Sequence, residues 1–308
     1  MKIVVTGGAG FVGSNLAIRL VSLGHDVVVL DDYSLGKARN LEPVAKDITM
    51  VHGDIRDAPT VINACAGADI IFNEAAASSS PMFMKDLNHA VSVNVNGFIN
   101  ILNAAREHNV KRVVYASSSV VYGNRPETLR EELVLQPSNF YSATKLMNEH
   151  LAALFGQEYG LETVGLRYMS IYGPREETKG GYANLVSQFL WSMRKGEQPV
   201  IYGNGEQTRD FTYVKDAVEA NILAMNSHRK MIGEIFNVGT GRSWSLNTLV
   251  QTLNRFLKTN VTARYIEMPV KNYMASQRAD LTKIRAALGY EPRYSLDDGI
   301  ADLLATPS

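Results

Sequence analysis

In the first half of the chain, apolar positions fall in short continuous runs. The stretches between them carry apolar residues at helical spacing. The runs predict strands at Lys2–Thr6, Asp26–Leu30, Thr49–Val51, Ile70–Phe72, Val113–Ala116 and Thr163–Arg167. Helical patterns cover Gly13–Leu23, Val91–Glu107 and Tyr141–Tyr159. Strands apolar throughout are buried on both faces, so this alternation predicts an α/β fold built on a doubly wound parallel sheet.

From Arg167 onward the pattern loosens. Glycine turns occur at Tyr172-Gly173-Pro174, Tyr202-Gly203-Asn204-Gly205 and Val238-Gly239-Thr240-Gly241. Helices are expected at Ala183–Lys195, Val214–Asn226, Leu246–Leu257, Leu281–Leu288 and near the C-terminus. Asp280 caps one of these and Gly289 stops it, while Ser295 and Asp298 form a capping box for the last. The expected organisation is a dinucleotide-binding Rossmann domain over 1–166 and a smaller α/β substrate domain over 167–308, some of whose segments return to the first domain.

Composition narrows the function classes. Of 308 residues, 45% are hydrophobic and 20% charged, enough to bury a large core. Formal net charge is zero, which favours neither nucleic acid nor an anionic membrane as partner. No apolar run approaches the roughly 18 residues of a membrane helix, and the chain enters a strand directly after Met1, so a cytoplasmic location is expected. The single cysteine, Cys65, excludes an internal disulfide and sits in an Ala-rich helical stretch as a packing residue. The six histidines are scattered without ligand spacing, and no metal site is expected.

The first strand runs into Thr6-Gly7-Gly8-Ala9-Gly10-Phe11-Val12-Gly13. Gly7 permits the tight turn, Gly10 lets backbone N–H groups approach a pyrophosphate, and Gly13 lets the helix pack on the strand. The helix N-terminus, with Phe11 and Val12, favours the anion. Asp31, ending the second strand, suits a ribose and repels a 2′-phosphate, which favours NAD over NADP. Asp32, Ser34 and Gly36 follow as candidate cofactor contacts, with a cap or solvated loop as the alternative for Asp32. Asp54 and Ile55, after the third strand, suit the adenine, unless Asp54 is a plain turn residue.

Tyr141 and Lys145 stand at i and i+4 and share a helix face. An ammonium there is expected to lower the phenol pKa from about 10, making Tyr141 a general base. Ser117, Ser118 and Ser119 follow the strand Val113–Ala116, where strand C-termini carry the site of a doubly wound sheet. Arg209 suits a diphosphate, or else pairs with Asp210 or Asp216. Asn184 and Leu185 suit a nucleobase, or simply start a helix.

Together, the glycine loop, Asp31, Gly53-Asp54-Ile55, Asn94-Val95-Asn96-Gly97, Ser117-Ser118-Ser119-Val120-Val121-Tyr122-Gly123, Tyr141-Ser142-Ala143-Thr144-Lys145, Tyr172-Gly173-Pro174-Arg175, Arg209-Asp210-Phe211-Thr212-Tyr213-Val214-Lys215-Asp216 and Phe236-Asn237-Val238-Gly239-Thr240-Gly241 resemble the extended short-chain dehydrogenase/reductase family, especially its nucleotide-sugar epimerases. The resemblance covers almost the whole chain. It implies that Tyr141 is the acid/base, that Lys145 lowers its pKa and holds the nicotinamide ribose, and that Ser118 is the catalytic serine. It places Asn94 and Tyr168 by the nicotinamide, with Ala75, Ala76 and Ser117 among the cofactor contacts. Ser119, Ser170, Tyr202 and Lys271 join the substrate set with Ser118, Asn184, Leu185 and Arg209. A homodimer through Val91–Glu107 and Tyr141–Tyr159 is implied as well.

Within that family, dehydratases carry an acidic pair after the catalytic hydroxyl and decarboxylases keep a Glu. This chain has Ser119-Val120 there. The form resembles 4-epimerases of UDP-glucose/UDP-galactose type, acting on a UDP-hexose, with UDP-N-acetylhexosamine as a further substrate. An alternative is action on another nucleotide sugar, such as ADP-heptose 6-epimerisation with Lys179 as a second base; otherwise Lys179 is a surface lysine. A non-catalytic dinucleotide sensor is the alternative from another class. Departures from the family pattern are Asn73-Glu74 before Ala75, Met169-Ser170 after Tyr168, and Lys271 where a diphosphate-clamping Arg is usual. Glu74 is expected to face solvent or a cation.

Overall fold

The computed structural model describes residues 1–267 and 273–306. The predicted strands form: β1 (Lys2–Thr6), β2 (Asp26–Asp31), β3 (Ile48–His52), β4 (Ile70–Asn73), β5 (Arg112–Ser118) and β6 (Glu162–Tyr168). They join a seven-stranded sheet with Glu234–Val238 at one edge, in the order Glu234–Val238, β6, β5, β4, β1, β2, β3. Every pairing is parallel. Chain order reverses between β1 and β4, and the crevice beyond the strand C-termini at such a switch point is where open α/β sheets bind ligands. Ile3, Val5, Val27, Val29, Phe72 and Val114 are buried on one face of this sheet, and Val4, Val28, Ile71 and Val113 on the other. Burial on both faces explains why the strands read as unbroken apolar runs.

Phe236–Val238, read as part of a turn, instead belongs to the strand Glu234–Val238, which pairs on β6 in the first sheet. The Val91–Glu107 helix forms as one continuous run from Leu87, with a π-turn at Ser92–Asn96 between the α-helical stretches Leu87–Val91 and Gly97–Glu107. The inserted residue swings Asn94 inward, a common use of π-bulges. Its amide accepts from Ala77 N at 2.7 Å and donates to Thr144 Oγ1 at 3.0 Å.

Part of the later chain packs around a separate cluster including Tyr172, Phe189, Leu190, Phe211, Tyr213, Leu249 and Ile300, while the helix Val214–Asn226 buries Ala217, Ala220 and Ala224 in the core of the first sheet. The helices Leu185–Arg194, Leu246–Leu257 and Leu296–Ala305 surround three two-stranded ladders. The Ser295–Asp298 capping box forms, Asp280 accepts from Thr282 N at 2.8 Å, and Gly289 ends its helix with φ +67°. No helix among the described residues is long and apolar enough to cross a membrane, and no group of His, Cys, Asp or Glu among them is placed to hold a metal.

The helix Phe140–Tyr159 is tied to the sheet by a buried ion pair. Arg167 on β6 meets Glu149 through Nε at 2.9 Å and Nη2 at 2.7 Å. Ser117 donates to the same carboxylate at 2.5 Å, and Arg167 Nη1 donates to Tyr122 Oη at 2.8 Å. Removing one partner strands a buried charge. Glu149→Ala should therefore cost about 3–5 kcal/mol of stability, read as a lower denaturation midpoint in urea. A loss below about 1 kcal/mol would show that the pair is not what fastens the helix.

Candidate active site

The site is built from the C-terminal ends of β1, β2, β4 and β5 and from the helix Phe140–Tyr159. Asn139 and Ser142 open that helix with a capping box, which sets where its first turn begins. Tyr141 and Lys145 then lie one turn apart facing the end of β5. Lys145 Nζ donates to Ala116 O at 2.7 Å and is buried. The Tyr141 ring packs against Phe83 with centroids 5.8 Å apart, and its hydroxyl is directed toward Ser118. Sequence reasoning thus names the three residues that the fold brings together.

The expected electrostatics are reversed, however. The Tyr141 phenol is pushed up to about 12, chiefly by burial; the Ser118 hydrogen bond opposes this and Glu74 adds to it. Lys145 is pulled down to about 8 by burial, against the holding effect of Glu74 and Glu149. Its ammonium is engaged by Ala116 O and lies 5.9 Å from the Tyr141 ring centroid, so it does not overcome the desolvation of the phenol.

Glu74 also departs from expectation. It turns inward and accepts from Tyr168 Oη at 2.8 Å, and burial raises its carboxyl to about 7. Asn221 Nδ2 donates to the same Tyr168 oxygen at 2.7 Å, which directs the phenol proton toward Glu74.

The glycine loop is shaped for close approach. Gly7 has φ +65°, and a Cβ there would lie 2.5 Å from Ala75 N; a Cβ on Gly13 would lie 2.2 Å from Gly7 O. Only glycine lets the loop, the helix Phe11–Ser22 and the Ala75-Ala76 turn meet at the switch point. Gly10 is the helix N-cap, and no side chain caps the helix or places an acid in its first turn. Its first amides, including those of Phe11 and Val12, are left for an anion. These residues fit a dinucleotide pyrophosphate.

Asp31 is buried and accepts from Ala9 N at 2.9 Å and Tyr33 N at 2.8 Å. Burial raises its carboxyl against those bonds. Gly36 lies against the Ala9 backbone, where Lys37 N donates to Ala9 O at 3.1 Å. Asp32 lies in an exposed turn, accepting from Ser34 N at 2.9 Å. Asp54 is paired with Arg56 at 2.5 Å, while Ile55 is buried in the space that Gly97 leaves.

Ser117 points away from Ser118 along the strand and is engaged by Glu149. Ser119 and Ser170 are joined through a residue that sequence reasoning missed. Gln277, buried at 4% exposure, donates to Ser119 Oγ at 2.6 Å and accepts from Ser170 Oγ at 2.7 Å. No motif surrounds it; its position depends on a return of the chain to Leu129, which pairs with Ala279.

Arg209 is 8% exposed. Its guanidinium donates to Thr208 O at 2.8 Å and lies 5.0 Å from the Tyr273 ring centroid. The expected alternative, an ion pair with Asp210 or Asp216, does not form among the described residues. Asp210 accepts instead from Thr240 N, Thr240 Oγ1, Gly241 N and Ala279 N, and Asp216 from Arg293 N and Tyr294 N. A buried guanidinium beside an aromatic ring, with no carboxylate partner among the described residues, is chemically suited to an anion. Tyr202 packs edge-on to Tyr273 at 6.3 Å. Asn184 caps the helix Leu185–Arg194 by accepting from Val186 N at 3.0 Å, and Leu185 packs on the adjoining core. Lys271 lies outside the described residues. Lys179 is neither a loose surface side chain nor near Tyr141 in its contacts: it pairs with buried Glu176 at 3.5 Å and lies 5.6 Å from the Phe11 ring centroid.

The chain is similar to proteins whose functions are named. It is 34% identical over 303 residues to a putative UDP-glucose 4-epimerase of Methanocaldococcus jannaschii, covering 97% of this chain and 95% of that one. It is 30% identical to a UDP-N-acetyl-alpha-D-glucosaminuronate decarboxylase of Bacillus cytotoxicus, over 98% of this chain and 96% of the relative. The crystal structure of UDP-glucose 4-epimerase with UDP-glucose from Thermotoga maritima superposes with a TM-score of 0.93 at 31% identity, covering 99% and 98% of the two chains. The NAD dependent epimerase/dehydratase family matches over residues 3–239. The chain therefore belongs to the NAD-dependent epimerase/dehydratase family, enzymes built on a Rossmann-like sheet.

Proposed function

We propose that this protein is a UDP-hexose 4-epimerase, acting on UDP-glucose/UDP-galactose or a UDP-N-acetylhexosamine. The observation that carries the reading is the Ser118–Tyr141–Lys145 constellation with Ser119 and Val120, rather than an acidic residue, following Ser118, and with Gln277 bonded to Ser119. A site without an acid next to Ser118 suits reversible oxidation at one carbon better than loss of water or carboxylate. The solved relatives include a UDP-glucose 4-epimerase, a UDP-N-acetylglucosamine 4-epimerase and a UDP-glucuronic acid 4-epimerase.

The Gly7–Gly13 loop and Asp31 would hold NAD, which when bound would supply the hydride acceptor and donor and, in oxidised form, a positive charge favouring the phenolate. Tyr141 takes the proton of the sugar 4-hydroxyl as C4 gives up its hydride, and returns it to the 4-oxygen when the hydride re-enters C4 from the opposite face. Ser118 hydrogen-bonds the 4-oxygen as it becomes a ketone. Lys145 holds an ammonium beneath the pair and is the donor for the adjacent ribose. Asn94 fixes the Ala77 loop to the catalytic helix at Thr144. Arg209 binds the diphosphate; Asn184, Leu185, Tyr202 and Ser170 line the nucleotide-sugar side. Lys179 is held by Glu176, which speaks against a second base for 6-epimerisation. The intact Tyr141–Lys145 pair speaks against a non-catalytic sensor. A homodimer is part of this proposal: Phe140, Met147 and Leu154 recur every seventh position on the exposed face of the catalytic helix, each about half exposed.

Two outcomes test the reading. Tyr141→Phe should lower turnover of UDP-galactose by about 10³-fold while bound NAD is retained. An unchanged rate would remove Tyr141 from the chemistry, and turnover of none among UDP-glucose, UDP-galactose and UDP-N-acetylglucosamine by the unmodified protein would remove the substrate assignment. Arg209→Ala should weaken UDP binding by roughly 30-fold or more in calorimetry, the loss of a charge-assisted contact worth about 2–3 kcal/mol. Unchanged affinity would place the diphosphate elsewhere.

A further inference from the structure

Arg209 keeps a buried charge with no carboxylate partner among the described residues, and the side chain that faces it is Tyr273. The guanidinium carbon lies 5.0 Å from the centre of that ring. Thr208 O accepts from Nη1 at 2.8 Å, which takes up one N–H donor of the planar fork. Tyr202 meets the Tyr273 ring edge-on, with centroids 6.3 Å apart, and is itself held by Gln207 Nε2, which donates to Tyr202 O at 2.7 Å. The chain that follows Tyr273 is stitched to the Arg209 strand. Thr208 N donates to Ala275 O at 2.9 Å, and Thr208 Oγ1 bonds to Ser276 Oγ at 3.2 Å. From the other side, Ala275 N donates to Asn124 Oδ1 at 2.8 Å. Backbone bonds made next to Tyr273 thus bring its ring to the guanidinium. Arg167 offers the contrast within the same molecule. Its guanidinium carbon also lies close to a ring, 4.8 Å from the Tyr122 centroid, but Glu149 accepts from it at 2.7 Å. Arg167 is a neutralised, structural arginine. Arg209 has the ring without the carboxylate.

We propose that Tyr273 is a positioning residue for the substrate diphosphate, holding the Arg209 guanidinium in place by cation–π contact while leaving its charge unneutralised. This deepens the proposed function and rests on Arg209 being the diphosphate contact. A buried cation left without any partner is costly. A carboxylate would remove that cost, but it would also spend the charge that an anion needs. The face of an aromatic ring attracts a cation through its quadrupole and carries no net charge. It also leaves the N–H groups of the fork to phosphate oxygens, which they grip in pairs. The ring is what this role requires; the phenol hydroxyl is not.

The test is a double-mutant cycle, read by calorimetric titration of the full chain with UDP in the presence of NAD. Tyr273→Leu should weaken UDP binding by about 10-fold, and Tyr273→Phe, which keeps the ring, by less than about 2-fold. In an Arg209→Ala background, Tyr273→Leu should add less than about 2-fold, because the ring acts through Arg209. A ring that stacked on the nucleobase, or that only supported the fold, would lower affinity alike in both backgrounds, and that result would overturn the proposal. So would unchanged or tighter UDP binding by Tyr273→Leu alone, or a Phe variant as weak as the Leu one. Arg209→Ala by itself separates this proposal from the reading beneath it. Unchanged UDP affinity there ends the diphosphate assignment and the proposal together, whereas a loss there without coupling to Tyr273 ends the proposal only.

Discussion

The architecture turns on taking a phenol and an amine out of water in one cleft. Tyr141 and Lys145 share a helix face beneath the ends of β4 and β5, and burial shifts both away from their charged forms. Each partner is then sustained by fixed groups rather than by solvent. Ser118 lies on the side of the phenol hydroxyl, Ala116 O accepts from the ammonium, and Phe83 packs on the ring. In such a medium a positive charge brought in with a cofactor acts far more strongly than it would in water. Chemistry and cofactor binding are thereby coupled through electrostatics.

The scaffold exists to keep that geometry. The catalytic helix is clamped to β6 by the Glu149–Arg167 pair and to the Ala77 loop by Asn94. On the other side, Asp210 spends its carboxylate on the turn at Thr240–Gly241 and on Ala279. This frees the neighbouring Arg209 from an ion pair. Adjacent charged residues of one motif thus differ in use, Asp210 fastening the chain and Arg209 keeping its guanidinium beside Tyr273.

Much of this was legible from the amino-acid pattern. Strands buried on both faces are unbroken runs of Val and Ile, and β1 to β6 lie where those runs are, to within a residue or two at each end. The glycine loop and the Tyr141–Lys145 spacing are local, so their placement follows from one turn and one helix. What was not legible depends on contacts distant in sequence. The π-turn at Asn94 does not disturb the apolar spacing around it. The strand Glu234–Val238 is interrupted by the polar Glu234 and Asn237 and runs into a glycine turn, so its place beside β6 is set by packing. Gln277 acquires meaning only because its segment returns to Leu129, and the inward turn of Glu74 only because Tyr168 and Asn221 wait for it. The raised phenol pKa follows from depth of burial, which helical spacing does not report.

The central claim is that a hydride leaves one sugar carbon and returns to the same carbon within a cleft closed to solvent. Incubation of the protein with UDP-galactose deuterated at C4, in ordinary water, tests this directly by mass spectrometry and NMR of the product. The account predicts UDP-glucose with the deuterium retained at C4. Loss of the label to solvent, or solvent hydrogen appearing at a neighbouring carbon, would contradict it.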